Sequence, residues 1–186
     1  AYYAQSSYYA QSSYYAESAY YAQSAYYAQS TYYAESYYYA QGGYCFAPDT
    51  LILMYNGTQK AIKDIRIGDI VMGQDERGNR KPNIVTTLFR HDYRLNGMQL
   101  FEMLRINGSL VVRAEHPMMT EKGMVLAGDL ELGDMLVGVE GPTPVTSIET
   151  GPSLPEIFNL TTFPDHTYFA GDALVHNKQC TSCPLP

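Results

Sequence analysis

The sequence predicts an all-β domain of many short strands, built as two related halves about a pseudo-twofold axis and preceded by a low-complexity Tyr-rich segment. Three observations carry that expectation. A ten-residue pattern occurs twice, at residues 64–73 and again at 129–138. Apolar runs after residue 44 are short and end in turn dipeptides, and long helical periods are absent from that part.

Residues 1–44 contain only Tyr, Ala, Ser, Gln, Glu, Thr and Gly, in hexapeptides of the form AYYAQS. Six residues turn a helix through about 240°, so the Tyr pairs wind around it and form no stripe. On a strand, each pair places one ring on either face. Neither arrangement gives a one-sided core, and without aliphatic residues the segment does not offset its ordering entropy. It reads as a disordered flank, with self-association through the tyrosines as its sharper reading.

The globular composition begins abruptly at Cys45. Residues 51–55 and 58–62 are joined by Asn56-Gly57, a pair suited to a tight hairpin turn. The first copy of the pattern follows, Asp64-Ile-Arg-Ile-Gly-Asp-Ile-Val-Met-Gly73, read as a short strand, a Gly-Asp turn and a buried strand. His91 fits no pattern and is expected on the surface. A second hairpin runs from 99–106 through Asn107-Gly108 into 109–113. The second copy is Asp129-Leu-Glu-Leu-Gly-Asp-Met-Leu-Val-Gly138; Asp64, Gly68, Asp69 and Gly73 match Asp129, Gly133, Asp134 and Gly138. Residues 156–161 and 166–170 make two further strands, with a turn at Pro164-Asp165. The Leu-Ala-Gly-Asp run at 126–129 superficially resembles a homing-endonuclease signature but belongs to the repeated unit, and the domain has no room for an inserted nuclease.

The formal net charge is −7, of which Glu17 and Glu35 supply only two units, so the globular part is also acidic. Nothing resembles the basic stripe of a nucleic-acid binder. No apolar run is long enough to span a bilayer as a helix. The chain begins without Met and within the repeat, as a fragment does. Three cysteines, Cys45, Cys180 and Cys183, give no disulfide framework.

Three motifs in order carry a resemblance: the opening CFAPDTLILMYNGTQKAIKDIRIGDIVMG, the central VVRAEHPMMT and the closing IFNLTTFPDHTYFAGDALVHN. Together they resemble the Hint family of Hedgehog-type and intein autoprocessing domains, in particular the bacterial intein-like subgroup and mini-inteins. The resemblance spans residues 45–177 and implies the horseshoe-like Hint fold. It also implies a single-turnover protein whose substrate is its own flanking polypeptide, with no cofactor. Residues 1–44 and 178–186 are then flanks.

The chemistry requires these residue types. A thiol on the residue after a peptide bond can attack the preceding carbonyl through a five-membered ring, and proximity makes that attack feasible. Cys45 would so convert the Tyr44–Cys45 amide to a thioester. The resemblance assigns His116 to assist that step, and His176 and His166 to assist cyclisation of Asn177, which would release Lys178.

Three residues depart from the family pattern. Arg113 stands where the central motif has Thr, removing a hydroxyl donor expected near the scissile amide. Asn159 replaces an Asp and cannot be a charged partner for the thiol. Lys178 replaces the Cys, Ser or Thr that accepts the acyl chain in splicing, so cleavage at both ends is expected as the main outcome. Some ligation follows if the freed Lys178 amine attacks the thioester. The nine residues after Asn177 are too few for a sterol-transfer region. Cys180-Thr-Ser-Cys183 gives half a zinc site at most and reads as an unstructured flank. The competing function is a structural protein whose Tyr-rich tract assembles beside an inactive remnant.

Overall fold

The computed structural model describes residues 44–177. The repeat up to residue 43 and the tail 178–186, with Lys178, Cys180 and Cys183, lie outside the described residues. Fourteen strands follow in order: β1 (Leu51–Leu53), β2 (Gln59–Ala61), β3 (Ile70–Gln74), β4 (Arg80–Asp92), β5 (Phe101–Ile106), β6 (Leu110–Val112), β7 (Pro117–Thr120), β8 (Gly123–Leu126), β9 (Met135–Gly138), β10 (Gly141–Pro144), β11 (Ile148–Leu154), β12 (Glu156–Phe163), β13 (Thr167–Ala170) and β14 (Ala173–His176). The only helical pieces among the described residues are three single 3-10 turns. The all-β expectation holds for this region.

The two copies of the repeated pattern have the same local structure. The Asp69 carboxylate accepts from the Arg66 N–H at 2.9 Å, and Asp134 accepts from the Glu131 N–H at 2.8 Å. Gly68 and Gly133 have φ of +91° and +93°, a conformation open to Gly and costly for other residues. Each Gly N–H donates at 2.8 Å to a valine carbonyl, Val85 in the first copy and Val145 in the second. Lys60 pairs with Asp69 and Lys122 with Asp134. One expectation is corrected here. The residues before each Gly-Asp turn do not form a short strand but a 3-10 turn, Ile62–Asp64 and Ala127–Asp129, followed by extended chain. A paired strand would leave the Gly-Asp loop too straight to return to Val85 and Val145.

The halves are interlocked by exchanged arms. β4 of the first half pairs with β12 of the second, and β11 of the second pairs with β5 of the first. These make two three-stranded sheets, β12-β4-β3 and β11-β5-β6. The remaining strands form one sheet in the order β10-β9-β7-β14-β13-β1-β2, with β8 on β7. The turn at Pro164-Asp165 therefore does not close a hairpin: β12 lies on β4, and β13 lies between β14 and β1. Phe46, Ile52, Val71, Val85, Met118, Leu160, Tyr168 and Val175 fill the main core. Each such side chain contributes about 1.5–3 kcal/mol by leaving water.

His91 is buried, correcting the surface expectation. It sits near the end of β4 opposite Ile157 of β12, where the pleat turns it inward, and burial lowers its pKa.

Asn107 shows how one turn joins the halves. Asn107 and Gly108 both have positive φ, +50° and +73°, as a primed hairpin turn requires. The Asn107 Oδ1 also accepts from Thr146 N at 2.7 Å, while its Nδ2 donates to Pro144 O at 3.0 Å. Replacing Asn107 with Gly keeps the turn and loses these bonds. Asn107→Gly should cost about 1 kcal/mol and Asn107→Ala more, read as successive drops in thermal midpoint. Equal midpoints for all three chains would show that the turn does not link the halves.

Candidate active site

The N-terminal edge of the domain is held on both sides. Phe46 donates to Phe158 O at 2.8 Å and accepts from Phe158 N at 2.9 Å, and it also bridges to Val112. The Cys45 carbonyl accepts from the Arg113 N–H at 2.9 Å. Cys45 itself is buried with Phe101, Met103 and Ile157. Burial pushes its thiol pKa far up, with the Arg113 charge working against that and the Glu115 charge with it.

Arg113 thus contributes its main chain beside the cysteine. Its side chain donates to Glu102 O at 2.9 Å and lies 3.5 Å from the Glu115 carboxylate. The Asn159 carboxamide meets an unexpected partner: the buried Tyr168 hydroxyl donates to its Oδ1 at 2.6 Å. Burial pushes the Tyr168 phenol well up, and the neighbouring Cys45 thiol adds to that. Asn159 therefore anchors a tyrosine beside the thiol.

His116 is wholly buried, immediately before β7. Its ring lies 4.2 Å from Phe46 and 6.4 Å from Tyr44, centroid to centroid. Burial lowers its pKa to about 3; the Tyr44 main chain opposes the shift and His176 adds to it. Neither imidazole nitrogen makes a full hydrogen bond. The imidazole is therefore neutral at physiological pH, packed against the residues flanking the Tyr44–Cys45 bond.

The C-terminal edge arrives beside it. β14 pairs with β7 through Val175 and Met118, and continuing that antiparallel register carries the end of β14 toward His116. Asn177 is 2% exposed. Its main-chain N–H donates to His166 O at 2.9 Å, and its Oδ1 accepts from Thr162 Oγ1 at 2.9 Å and Thr162 N at 3.2 Å. Its Nδ2 has no partner. His166 and His176 are both half-buried, with ring centroids 6.3 Å apart. Burial lowers both pKa values. The Thr162 main chain and Asp165 oppose this at His166, and the Asn177 main chain opposes it at His176.

His166 sits in a left-handed conformation, φ +58°, in a turn held from a distance. Asn83 on β4 accepts from Asp165 N at 2.8 Å and donates to the Asp165 carboxylate at 2.9 Å. Thr167 exchanges hydrogen bonds with the Gln74 main chain, both at 2.9 Å. Of the predicted residues, His116 packs against Tyr44 and Phe46, the neighbours of Cys45 in the chain, and Asn177 lies with His166 and His176. Sequence reasoning missed Thr162, Tyr168 and Asn83. Thr162 and Tyr168 lie inside the closing motif, which marked their segment without marking them. No local signal distinguishes Asn83. Among the described residues, no group of three or more His, Cys, Asp or Glu could hold a metal ion. No helix there is long and apolar enough to cross a membrane.

Comparison with known proteins agrees with this architecture. A family model described as Hom_end-associated Hint matches residues 45–122. The structure of a bacterial intein-like domain from Clostridium thermocellum is similar with a TM-score of 0.62 and 26% identity, covering 72% of this chain and 98% of its own. A DnaB intein from Synechocystis sp. is similar in fold, with a TM-score of 0.59 and 20% identity over 74% of this chain and all of its own length. No curated protein matches. The described residues thus have the Hint fold of the intein-like domains, and residues 45–122 match a Hint family model.

Burial of His116 has a consequence for stability. The unfolded chain binds a proton there below about 6.5, while the folded chain refuses it until about 3. Stability from this group is full above 6.5 and is lost as pH falls through that window. The thermal midpoint should drop between pH 7 and pH 4, and His116→Gln should flatten that drop. Parallel pH profiles for the two chains would exclude His116 as the cause.

Proposed function

We propose that residues 45–177 are a self-processing unit that breaks the Tyr44–Cys45 and Asn177–Lys178 bonds, using Cys45, His116, His166, His176 and Asn177. The observation that carries this reading is the attachment of both edges to one strand. Phe46 binds Phe158 and Asn177 binds Thr162, four residues further along β12.

In the first step the Cys45 sulfur bonds to the Tyr44 carbonyl carbon, the C–N bond breaks and the thiol proton passes to the freed Cys45 amine. The product is a thioester. The Cys45 main chain is already fixed by Arg113 and Phe46, so little orientation remains to be gained. His116, neutral and beside the Tyr44 main chain, is the group placed to relay the proton. Burial disfavours both the thiolate and the imidazolium, so this step starts from neutral groups.

In the second step Asn177 cyclises on its own carbonyl and releases Lys178, with His176 and His166 as acid and base. Lys178 offers no side-chain hydroxyl or thiol to the thioester. Water, or an added thiol, attacks the thioester carbonyl, the C–S bond breaks and the Cys45 thiol is regenerated, so cleavage at both ends dominates over splicing, and the flanking polypeptide is the substrate.

Intact-mass analysis of the full chain tests the reading. Cys45→Ala should abolish cleavage after Tyr44, and Asn177→Ala should abolish cleavage after residue 177. A full-length chain of unchanged mass after days in reductant, or fragments unaffected by either substitution, would favour an inactive remnant beside a structural Tyr-rich tract.

A further inference from the structure

We infer that Thr162 is a positioning residue for Asn177 cyclisation, holding the carboxamide oxygen so that the nitrogen is presented for attack and the charge developing on the oxygen is stabilised. The inference rests on the reading of Asn177 given above and adds a residue which that reading did not require.

Orientation comes first. A carboxamide has two ends of similar size, and only Nδ2 can become the ring nitrogen of a succinimide. The Thr162 main-chain N–H, 3.2 Å from the Asn177 carboxamide, can only donate. The atom facing it must accept, so that end is Oδ1. A flipped carboxamide would set its NH2 against this N–H and lose the bond. The Thr162 hydroxyl adds a second contact to the same oxygen at 2.9 Å. Its oxygen also lies 3.1 Å from Thr167 O, on the first residue of β13. Nδ2 is left buried and without an acceptor. A buried amide nitrogen in that state costs about 1–3 kcal/mol, which β-sheet packing elsewhere must offset.

Chemistry comes second. In cyclisation Nδ2 bonds to the Asn177 carbonyl carbon, and the bond from that carbon to the Lys178 nitrogen breaks. One Nδ2 proton is lost and the departing amine gains one; the other stays on the imide. As Nδ2 gives up its proton, negative charge moves by resonance onto Oδ1. The Thr162 N–H is a fixed donor there, and the hydroxyl, whose one hydrogen is shared between Oδ1 and Thr167 O, turns fully to Oδ1 as the charge grows; together, in a buried site, they lower its cost. Thr162 is itself fully buried, so the N–H donor needs no reorganisation.

An irregularity in the partner strand lies opposite Thr162, where β4 carries the extra residue Thr86. The register of β12 against β4 slips between Thr161 and Thr162, where two residues of β4 are passed for one of β12. Buried positions along β12 run Ile157, Asn159, Leu160 and Thr162, so the inward phase changes midway. Such a bulge re-aims side chains. Here it accompanies the turn of the Thr162 hydroxyl toward Asn177.

The test follows both cleavages in freshly translated full-length chains. Thr162→Val keeps the volume and the main-chain N–H and removes only the hydroxyl. It should slow release of the Lys178 fragment by about 10- to 100-fold. Thr162→Ser should restore the rate to within a few-fold. Thioester formation at Cys45, read by thiol-induced cleavage after Tyr44, should persist in both, which also reports that each chain has folded. A wild-type release rate in Thr162→Val overturns the inference and leaves the self-processing reading standing. Loss of both reactions together, or failure of Ser to rescue, marks Thr162 as merely structural and overturns it too. If the unsubstituted chain never cleaves after Asn177, both readings fail.

Discussion

The reactive geometry of this molecule depends on the seating of β12 in the long arm β4. Eight residues of β12 are paired to β4, and the two edges of the domain are tied to the same strand at Phe158 and Thr162. Four residues of extended chain set those attachment points about 13 Å apart. The separation of the edges is thus fixed by strand geometry, with no flexible segment between the attachment points. The slip at Thr161 and Thr162 is the one adjustment in that ruler, and it falls where Asn177 is held.

Burial then decides the state of the groups set out along it. His116, Cys45 and Tyr168 are sealed from water, and each is driven toward its neutral form. Arg113 and Glu115 bring opposite charges that act in opposite directions on the thiol, and the effect of burial exceeds both. The buried atoms without partners are concentrated here: both His116 nitrogens, the His166 Nδ1 and the Asn177 Nδ2, together with atoms of Arg113 and Glu115. Orphaned polar atoms are destabilising, so their clustering at the two edges marks where packing has been given up. The surrounding apolar core, with Phe46 and Tyr168 fully buried, supplies the compensating stability.

How much of this the sequence discloses depends on whether the cause is local. Asn107-Gly108 was readable because positive φ is a property of those two residues, and the structure has it. The repeated Gly-Asp unit was readable because its hydrogen bonds close within the unit and on one valine. The 3-10 turns before Gly68 and Gly133 were read as strands because alternating apolar residues look alike in any extended chain. The burial of His91 comes from β12, which is 66 residues away at Ile157, so nothing near it in sequence signals it. Asn83, Tyr168 and Thr162 escaped as well. The partner of Asn83 is brought near by the exchange of arms, 82 residues away at Asp165, while Tyr168 and Thr162 bond Asn159 and Asn177 within the β12 to β14 segment, across a turn that no local pattern specifies.

That exchange also explains how one scaffold can hold both ends independently of the residues beyond them. Phe46 lies between Phe158 and Val112, bridging one strand from each small sheet. At the other edge, β14 is flanked by β13 and β7, inside the eight-stranded sheet. Neither edge of the domain is an edge strand, so each is held by main-chain bonds that do not involve the residues beyond it. Breaking the bond before Cys45 or after Asn177 would leave those contacts in place. A terminus on an outer strand would fray as its flank was lost, and the geometry at the other end would loosen with it. Under the proposed function, interior placement would make the two cleavages mechanically independent while β12 fixes the distance between them. The duplication builds symmetric supports. The asymmetry that chemistry needs comes from the segment β12 to β14, which holds Asn159, Thr162, His166, Tyr168 and His176 and leads directly into Asn177.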